Sequence, residues 1–269
     1  MKTAASTLVH TEGEANTSAA RGAWSARMVD ERTRSIVERD AAAFLHQSLS
    51  SPCLSAIAKA EGIWIEDMAG RRYMDFHGNS VHHIGYGHPR LKQAIKAQID
   101  ELCFAPRRFA CEPAVELAET LGQLAPGDLG KVLFTTGGSD AIEVALRLAR
   151  AATGRFKTLS FWDAFHGAGF GASSVGGEAT FRSGIAGPLL PGAEHVAPWA
   201  SRRCAYGHND LESSARACAN MISYVLGRDG DFAALVAEPM RATPNPPAPG
   251  FWKMVREACD RHGTLLIFD

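Results

Sequence analysis

Three residues suited to phosphate binding, Gly137, Gly138 and Ser139, follow an apolar run at 132–134 and precede a segment with helical periodicity. The pattern predicts a strand, a glycine turn and a helix that Ser139 or Asp140 can cap. The first N–H groups of such a helix have no partners within it, and the helix dipole favours an anion beside them. These residues therefore indicate a phosphate site, although their spacing matches neither common nucleotide-binding glycine motif.

Three further apolar runs predict buried strands, and each precedes residues that could contact a ligand. The runs and the residues that follow them are 158–161 with Phe165 and His166, 232–237 with Glu238, and 265–268 with Asp269. An apolar run that ends in aspartate is common at the carboxyl edge of a parallel sheet, where open α/β sheets bind ligands. Asp269 is therefore a candidate ligand-binding residue.

In sequence and in order, these motifs resemble those of the class III aminotransferases that depend on pyridoxal 5'-phosphate (PLP). The matching motifs are Gly137-Gly138-Ser139-Asp140-Ala141, Phe165-His166-Gly167, Glu238-Pro239 and Leu265-Leu266-Ile267-Phe268-Asp269. Gly137 stands where the family more often has serine. Together with a hairpin block that opens at Glu61, the resemblance covers residues 61–269, and four motifs in the right order make it specific.

The resemblance implies a role for each motif. Gly138 and Ser139 would bind the PLP phosphate, and the Phe165 ring would stack on the pyridine. Asp269 would pair with the pyridine nitrogen and keep it protonated, so that the ring can take up electrons from the substrate carbon, which makes Asp269 the candidate catalytic residue. His166 and Glu238 would complete the cofactor-binding set.

Substrate contacts are predicted in two loops. The segment 77–89 carries four histidines, but its glycines and proline predict a loop without the helical pair typical of a metal site, so no metal is expected. Because the corresponding loop of the family borders the active site, His82 and His83 are candidate substrate contacts. Arg241 opens a proline-rich segment in place of the family's glycine-rich one, which predicts a loop shaped for a different substrate.

One family feature has no counterpart in the sequence. The lysine that carries PLP in the family lies a few tens of residues beyond the position of Asp269, and no lysine of this chain stands in the family's lysine motif. The chain therefore resembles the N-terminal portion of such an enzyme, and we expect the 269-residue chain to be inactive alone.

The predicted function is PLP-dependent transfer of an amino group between an amine or amino acid and an oxo acid. Two alternatives stay open from the sequence. One is an ammonia-lyase or phospho-lyase of the same family, acting on an aminophosphonate or an amino-alcohol phosphate. The other is a truncated chain without catalytic activity.

These residues require an α/β fold, with helices on a mainly parallel sheet, and the resemblance implies the type I fold of PLP-dependent transferases. The predicted organisation is a flexible arm at 1–23, then a helix, a hairpin and the histidine loop at 24–88, and an incomplete cofactor-binding domain at 89–269. The pattern predicts a helix after Pro89 with a buried stripe. The last strand, 265–268, is predicted to be buried on both faces.

Composition excludes several classes of protein. The net charge of −1 and the absence of a basic run argue against a nucleic-acid partner. No apolar stretch approaches the roughly 20 residues needed to span a membrane. The six cysteines form no CxxC pair, which is typical of reduced thiols and predicts a cytoplasmic protein. The resemblance implies a small amino substrate and a homodimer.

Overall fold

A computed structural model describes residues 18–44, 53–78, 81, 83–106, 108–182, 187–200, 203–241 and 245–269. The chain divides into two compact units, Met1–Gln123 and Leu124–Asp269. The predicted domain boundaries at 23 and 88 stay a prediction. Most of the predicted arm lies outside the described residues.

The first unit opens with two helices, α1 (Ala19–Met28) and α2 (Glu31–Ala43). The hydroxyl of Ser18 caps α1 by accepting from the N–H of Arg21, and the carboxylate of Asp30 caps α2. Such side-chain acceptors fix where a helix begins, because they satisfy N–H groups that the helix itself leaves open.

The predicted hairpin is confirmed and carries one additional strand. Strands β1 (Ile57–Glu61), β2 (Trp64–Asp67) and β3 (Arg72–Met74) form an antiparallel sheet in that order. The buried carboxylate of Asp67 organises the turn between β2 and β3, accepting from the backbone N–H groups of Ala69 and Arg71 and from the Arg71 side chain.

Two amphipathic helices follow, α3 (Pro89–Leu102) and α4 (Glu112–Leu124). The prediction of a buried stripe on α3 is wrong for the chain as described. Its members are 43–59% exposed; they are Leu91, Ile95, Ile99 and Leu102. The periodicity is real, but no described element packs over this face.

The second unit is a parallel sheet with the strand order β5-β4-β6-β7. Its strands are β4 (Lys157–Phe161), β5 (Ala193–Val196), β6 (Phe232–Ala237) and β7 (Leu265–Phe268). Its helices are α5 (Gly138–Thr153), α6 (Phe170–Val175), α7 (Ala179–Arg182), α8 (Leu211–Asp229) and α9 (Phe251–His262). The predicted α/β architecture with a parallel sheet is confirmed.

Helices cover both faces of this sheet. Because side chains of a strand alternate between faces, β6 sends Leu235 toward a core formed with α8 and α9, and Val236 toward a core formed with α5 and α6. All six residues of β6 are buried, which is expected of a central strand between two helix layers.

Two sequence predictions about strands do not hold in the structure. Residues 132–134 form no strand, and Leu133 and Phe134 are 61% and 51% exposed. Strand β7 is the edge of the described sheet, with Leu265 and Phe268 42% and 48% exposed. A strand forms only where a neighbour accepts and donates its backbone hydrogen bonds, and local sequence does not supply that neighbour.

No helix in the described part of the chain is long and apolar enough to cross a membrane.

Candidate active site

The site is built first on the start of α5. Gly137 is the N-cap residue, with an extended backbone (φ −177°), and no side chain caps the helix. The prediction that Ser139 or Asp140 caps α5 is therefore wrong. A Cβ atom on Gly137 or Gly138 would meet no atom within 4 Å, so the backbone here faces open space. Uncapped N–H groups beside open space are suited to an anion.

Ser139 ties this helix start to the loop that follows β4. Its hydroxyl oxygen accepts the backbone N–H of Ala168 over 3.1 Å. Gly167 approaches Ser139 so closely that an added Cβ would lie 2.9 Å from the Cα of Ser139, and its φ of +115° also favours glycine. A hydroxyl that accepts one hydrogen bond can still donate its own hydrogen to another acceptor.

Phe165 and Glu238 meet at the carboxyl edge of the sheet. The backbone N–H of Phe165, beyond β4, donates to Oε1 of Glu238, beyond β6, over 3.2 Å. The Phe165 ring is 43% exposed and contacts the ring of Phe181, with 4.6 Å between centroids. The carboxylate of Glu238 therefore holds the backbone of a residue whose aromatic ring is partly exposed.

His166 and Asp269 form the closest polar contact of this cluster. Nδ1 of His166 lies 2.7 Å from Oδ2 of Asp269, and the His166 side chain is fully buried. An ionised carboxylate only accepts, so Nδ1 carries the proton. In the neutral ring Nε2 then accepts from the hydroxyl of buried Ser160, 3.3 Å away. The N–H of Asp269 donates to Ala237 and continues the pairing of β6 with β7.

The predicted substrate residues fall in different places. Arg241 lies just beyond β6, and its Nη2 donates to the backbone oxygen of Asp163 over 3.0 Å. His83 belongs to the first compact unit, where it lines a groove with Asp75 and Tyr86. His82 lies outside the described residues. The structure therefore brings Gly138, Ser139, Phe165, His166, Glu238 and Asp269 into one cluster, with Arg241 at its border.

Lys157, the lysine at the start of β4, lies at the opposite edge of the sheet. Its Nζ pairs with the carboxylates of Asp229 (2.6 Å) and Glu194 (3.3 Å), and with Asp231 at 3.8 Å. The hydrogen bond to Asp229 is the main cause that raises the pKa of Lys157 above its usual range. A lysine held charged at the amino edge is unsuited to nucleophilic chemistry.

Glu143 is a residue of this region that the sequence alone did not single out as functional. Its Oε1 accepts the N–H of Ala172 over 3.0 Å, at the start of α6, which directly follows the loop that Ser139 contacts. The available signal was its position four residues after Ser139, because residues at i and i+4 share a helix face.

Comparison with known proteins decides the family. The family model for class III aminotransferases matches residues 46–269. The chain belongs to this family.

Curated relatives and solved structures agree with the assignment. The chain is 44% identical to the (R)-1-hydroxy-2-aminoethylphosphonate ammonia-lyase of Vibrio splendidus (strain 12B01), over 98% of this chain and 58% of the relative. It is 34% identical to the acetylornithine aminotransferase of Methanopyrus kandleri, over 83% of this chain and 53% of the relative. The chain thus spans about half the length of the curated relatives it matches.

Two transaminase structures show the same fold. A PLP-bound amine transaminase from an uncultivated Pseudomonas species superposes with a TM-score of 0.74 at 31% identity, covering 83% of this chain and 55% of that one. The (S)-enantioselective omega-transaminase of Thermomicrobium roseum gives 0.79 at 29% identity, with coverages of 88% and 56%.

The cofactor of the class III family is PLP, and the residues present fit it. Its phosphate needs N–H and hydroxyl donors beside open space, which the start of α5 provides. Its ring needs an aromatic face and a carboxylate for the protonated nitrogen, which Phe165 and Asp269 offer. When bound, PLP supplies an electron sink for a carbanion at the substrate carbon that bears the amine.

Proposed function

We propose that the full-length protein is a PLP-dependent enzyme that removes the amino group of a small amine substrate, in the manner of a class III aminotransferase. The observation that carries this proposal is the cluster at the carboxyl edge of the sheet, where the buried His166 holds the carboxylate of Asp269 at 2.7 Å. A carboxylate held in this way suits a protonated ring nitrogen, because its charge favours the proton.

In the proposed site, each residue has a separate task. The N–H groups of Gly138 and Ser139, with the Ser139 hydroxyl, bind the phosphate. The face of Phe165 orients the pyridine, and an offset aromatic contact contributes about 1 kcal/mol beyond its buried area. Asp269 keeps a proton on the ring nitrogen. Glu238 holds the backbone beside Phe165 in place.

The first candidate reaction is amino transfer to an oxo acid. The test is to incubate the full-length protein with PLP and candidate amines, with and without pyruvate. A transaminase forms alanine only when pyruvate is present, and without an oxo acid it consumes at most one equivalent of amine per active site. Amine consumption over many turnovers that is independent of every oxo acid tested excludes this reaction.

A second candidate is ammonia elimination, and a specific observation favours it. The match to the ammonia-lyase of Vibrio splendidus extends over 98% of the chain, and so takes in most of the segment before residue 46, where the family model begins. The match to the acetylornithine aminotransferase extends over 83%. The substrate class would then be an aminophosphonate that carries a hydroxyl group.

The two candidates give opposite results in one assay. With a 1-hydroxy-2-aminoethylphosphonate as substrate and no oxo acid, an ammonia-lyase releases ammonia on each turnover. A phospho-lyase would instead release inorganic phosphate and ammonia from an amino-alcohol phosphate, in which the phosphate leaves with its ester oxygen. If the full-length protein binds PLP but converts no amine in either assay, it is a non-catalytic member of the family.

We further propose that the full-length protein forms a homodimer in the cytoplasm. The support is family membership and the exposed apolar face of α3, which includes Ile95 and Ile99. Light scattering of the purified full-length protein measures its mass, and a monomer at micromolar concentration contradicts the proposal.

A further inference from the structure

The glycine-rich segment that follows Phe165 packs against α5. Ser139 and Glu143 lie one turn apart on the same face of α5. Ser139 accepts the N–H of Ala168 in the loop, and Glu143 accepts the N–H of Ala172 in the first turn of α6. The loop and the start of α6 therefore lie directly against α5, and each is held by one of these two contacts.

The Glu143 carboxylate replaces the missing cap of α6. Gly169 is the N-cap residue of α6 and has no side chain to accept an N–H. Oε1 of Glu143 accepts the N–H of Ala172 from outside the helix. A negative charge at this position also interacts favourably with the positive end of the helix dipole. Glu143 thus does for α6 what a capping residue would do.

The two glycines of the first turn make room for this carboxylate. A Cβ on Gly169 would lie 2.7 Å from Oε1 of Glu143, and a Cβ on Gly171 would overlap Oε2. Any side chain at these positions would push the Glu143 carboxylate away from the N–H of Ala172.

We propose that Glu143 is a positioning residue that sets the distance between the phosphate-binding turn and the ring-binding segment of the site. The inference rests on the proposed PLP site, because it assigns the phosphate to Gly138 and Ser139 and the ring to Phe165. The Glu143–Ala172 contact joins two segments of the proposed site. Glu143 lies on α5, which begins at the phosphate-binding turn, and Ala172 follows the loop that begins directly after His166.

The consequence concerns ligands that reach both segments at once. PLP connects its phosphate and ring covalently, so its affinity depends on how well the two segments are spaced in advance. Inorganic phosphate or pyridoxine contacts only one segment. Loss of the Glu143 contact should therefore lower the affinity for PLP and leave the affinities for inorganic phosphate and for pyridoxine unchanged.

The experiment compares Glu143→Ala with the wild type in the full-length apo protein. The measured quantities are the dissociation constants of PLP, inorganic phosphate and pyridoxine. A hydrogen bond to a charged group is lost, so we expect PLP affinity to fall about tenfold or more, while the other two constants change less than about twofold. Glu257→Ala, at an exposed glutamate of α9, is the matched control and should change none of them.

Further variants separate positioning from folding. Glu143→Gln keeps an acceptor oxygen and should recover most of the PLP affinity, whereas Glu143→Asp withdraws the carboxylate and should not. Gly171→Ala should weaken PLP binding by displacing Glu143, and should add little further loss in the Glu143→Ala background. If Glu143→Ala does not fold, the Gln and Asp variants carry the same comparison.

Two results overturn the proposal in distinguishable ways. If the wild type itself fails to bind PLP, the proposed function fails and the inference fails with it. If the wild type binds PLP but Glu143→Ala and Glu143→Asp bind it equally well, or lose phosphate and pyridoxine affinity to the same extent, the site stands and Glu143 has no positioning role.

Discussion

Nδ1 of His166 lies 2.7 Å from Oδ2 of Asp269, across 103 positions of sequence. The histidine is fully buried, whereas the aspartate side chain is 32% exposed. One oxygen of the carboxylate is thus held by a buried partner, while about a third of the side-chain surface stays accessible. This arrangement fixes the carboxylate without using up its capacity to accept.

We expect His166→Ala to lower the free energy of unfolding by about 1–3 kcal/mol, because Asp269 and Ser160 lose their shared buried partner. Urea unfolding followed by circular dichroism measures the change. His208→Ala removes an exposed histidine of the same unit and serves as control. Equal stability of the two variants would show that the His166 contact contributes nothing to the fold.

Gly138→Val should abolish PLP retention while leaving the fold nearly unchanged. A Cβ on Gly138 meets no protein atom within 4 Å, so the valine side chain would occupy the space predicted for the phosphate. Equilibrium dialysis of the full-length protein with PLP measures retention. Gly22→Val, also in open space within a helix, should retain PLP fully. Normal PLP affinity of Gly138→Val would remove the phosphate assignment.

Acid should destabilise the second unit in part through His195. Its burial, with the nearby Arg182 guanidinium, lowers the pKa of His195 below its usual 6.5. Below pH 6.5 the unfolded chain therefore takes up a proton more readily than the folded chain, so this contribution to stability is complete above pH 6.5 and falls as the pH drops.

The test for His195 compares unfolding free energies at pH 7.5 and 5.5. His195→Gln keeps a donor for the backbone oxygen of Gly176, 3.0 Å from Nε2, but does not titrate. We expect it to show a smaller loss at pH 5.5 than the wild type. His208→Gln should match the wild type, and an unchanged pH dependence in His195→Gln would refute this assignment.

The 269-residue chain should not form a specific adduct with PLP through its own lysines. Lys157 is held charged by Asp229 and Glu194, and no lysine follows the family motif. After incubation with PLP and borohydride, mass spectrometry should detect only scattered low labelling. A single dominant pyridoxyl-lysine would contradict this prediction.

Local patterns were sufficient to predict the motifs and their order. Apolar runs ending at Glu238 and Asp269, and the glycines before α5, are short-range features, and their chemistry follows from residue type. The hairpin, the alternation of strands and helices in the second unit, and the family itself could be predicted for the same reason.

Only the tertiary structure showed what these elements contact. The sequence predicted a buried stripe on α3 and a strand at 132–134, but periodicity identifies a face that needs a partner and does not supply one. Likewise, the contacts of Phe165 with Glu238, of His166 with Asp269, and of Glu143 with the N–H of Ala172 join distant segments. They exist because parallel strands bring their carboxyl ends to one edge and α5 packs against the loop there, a consequence of chain topology that no local pattern contains.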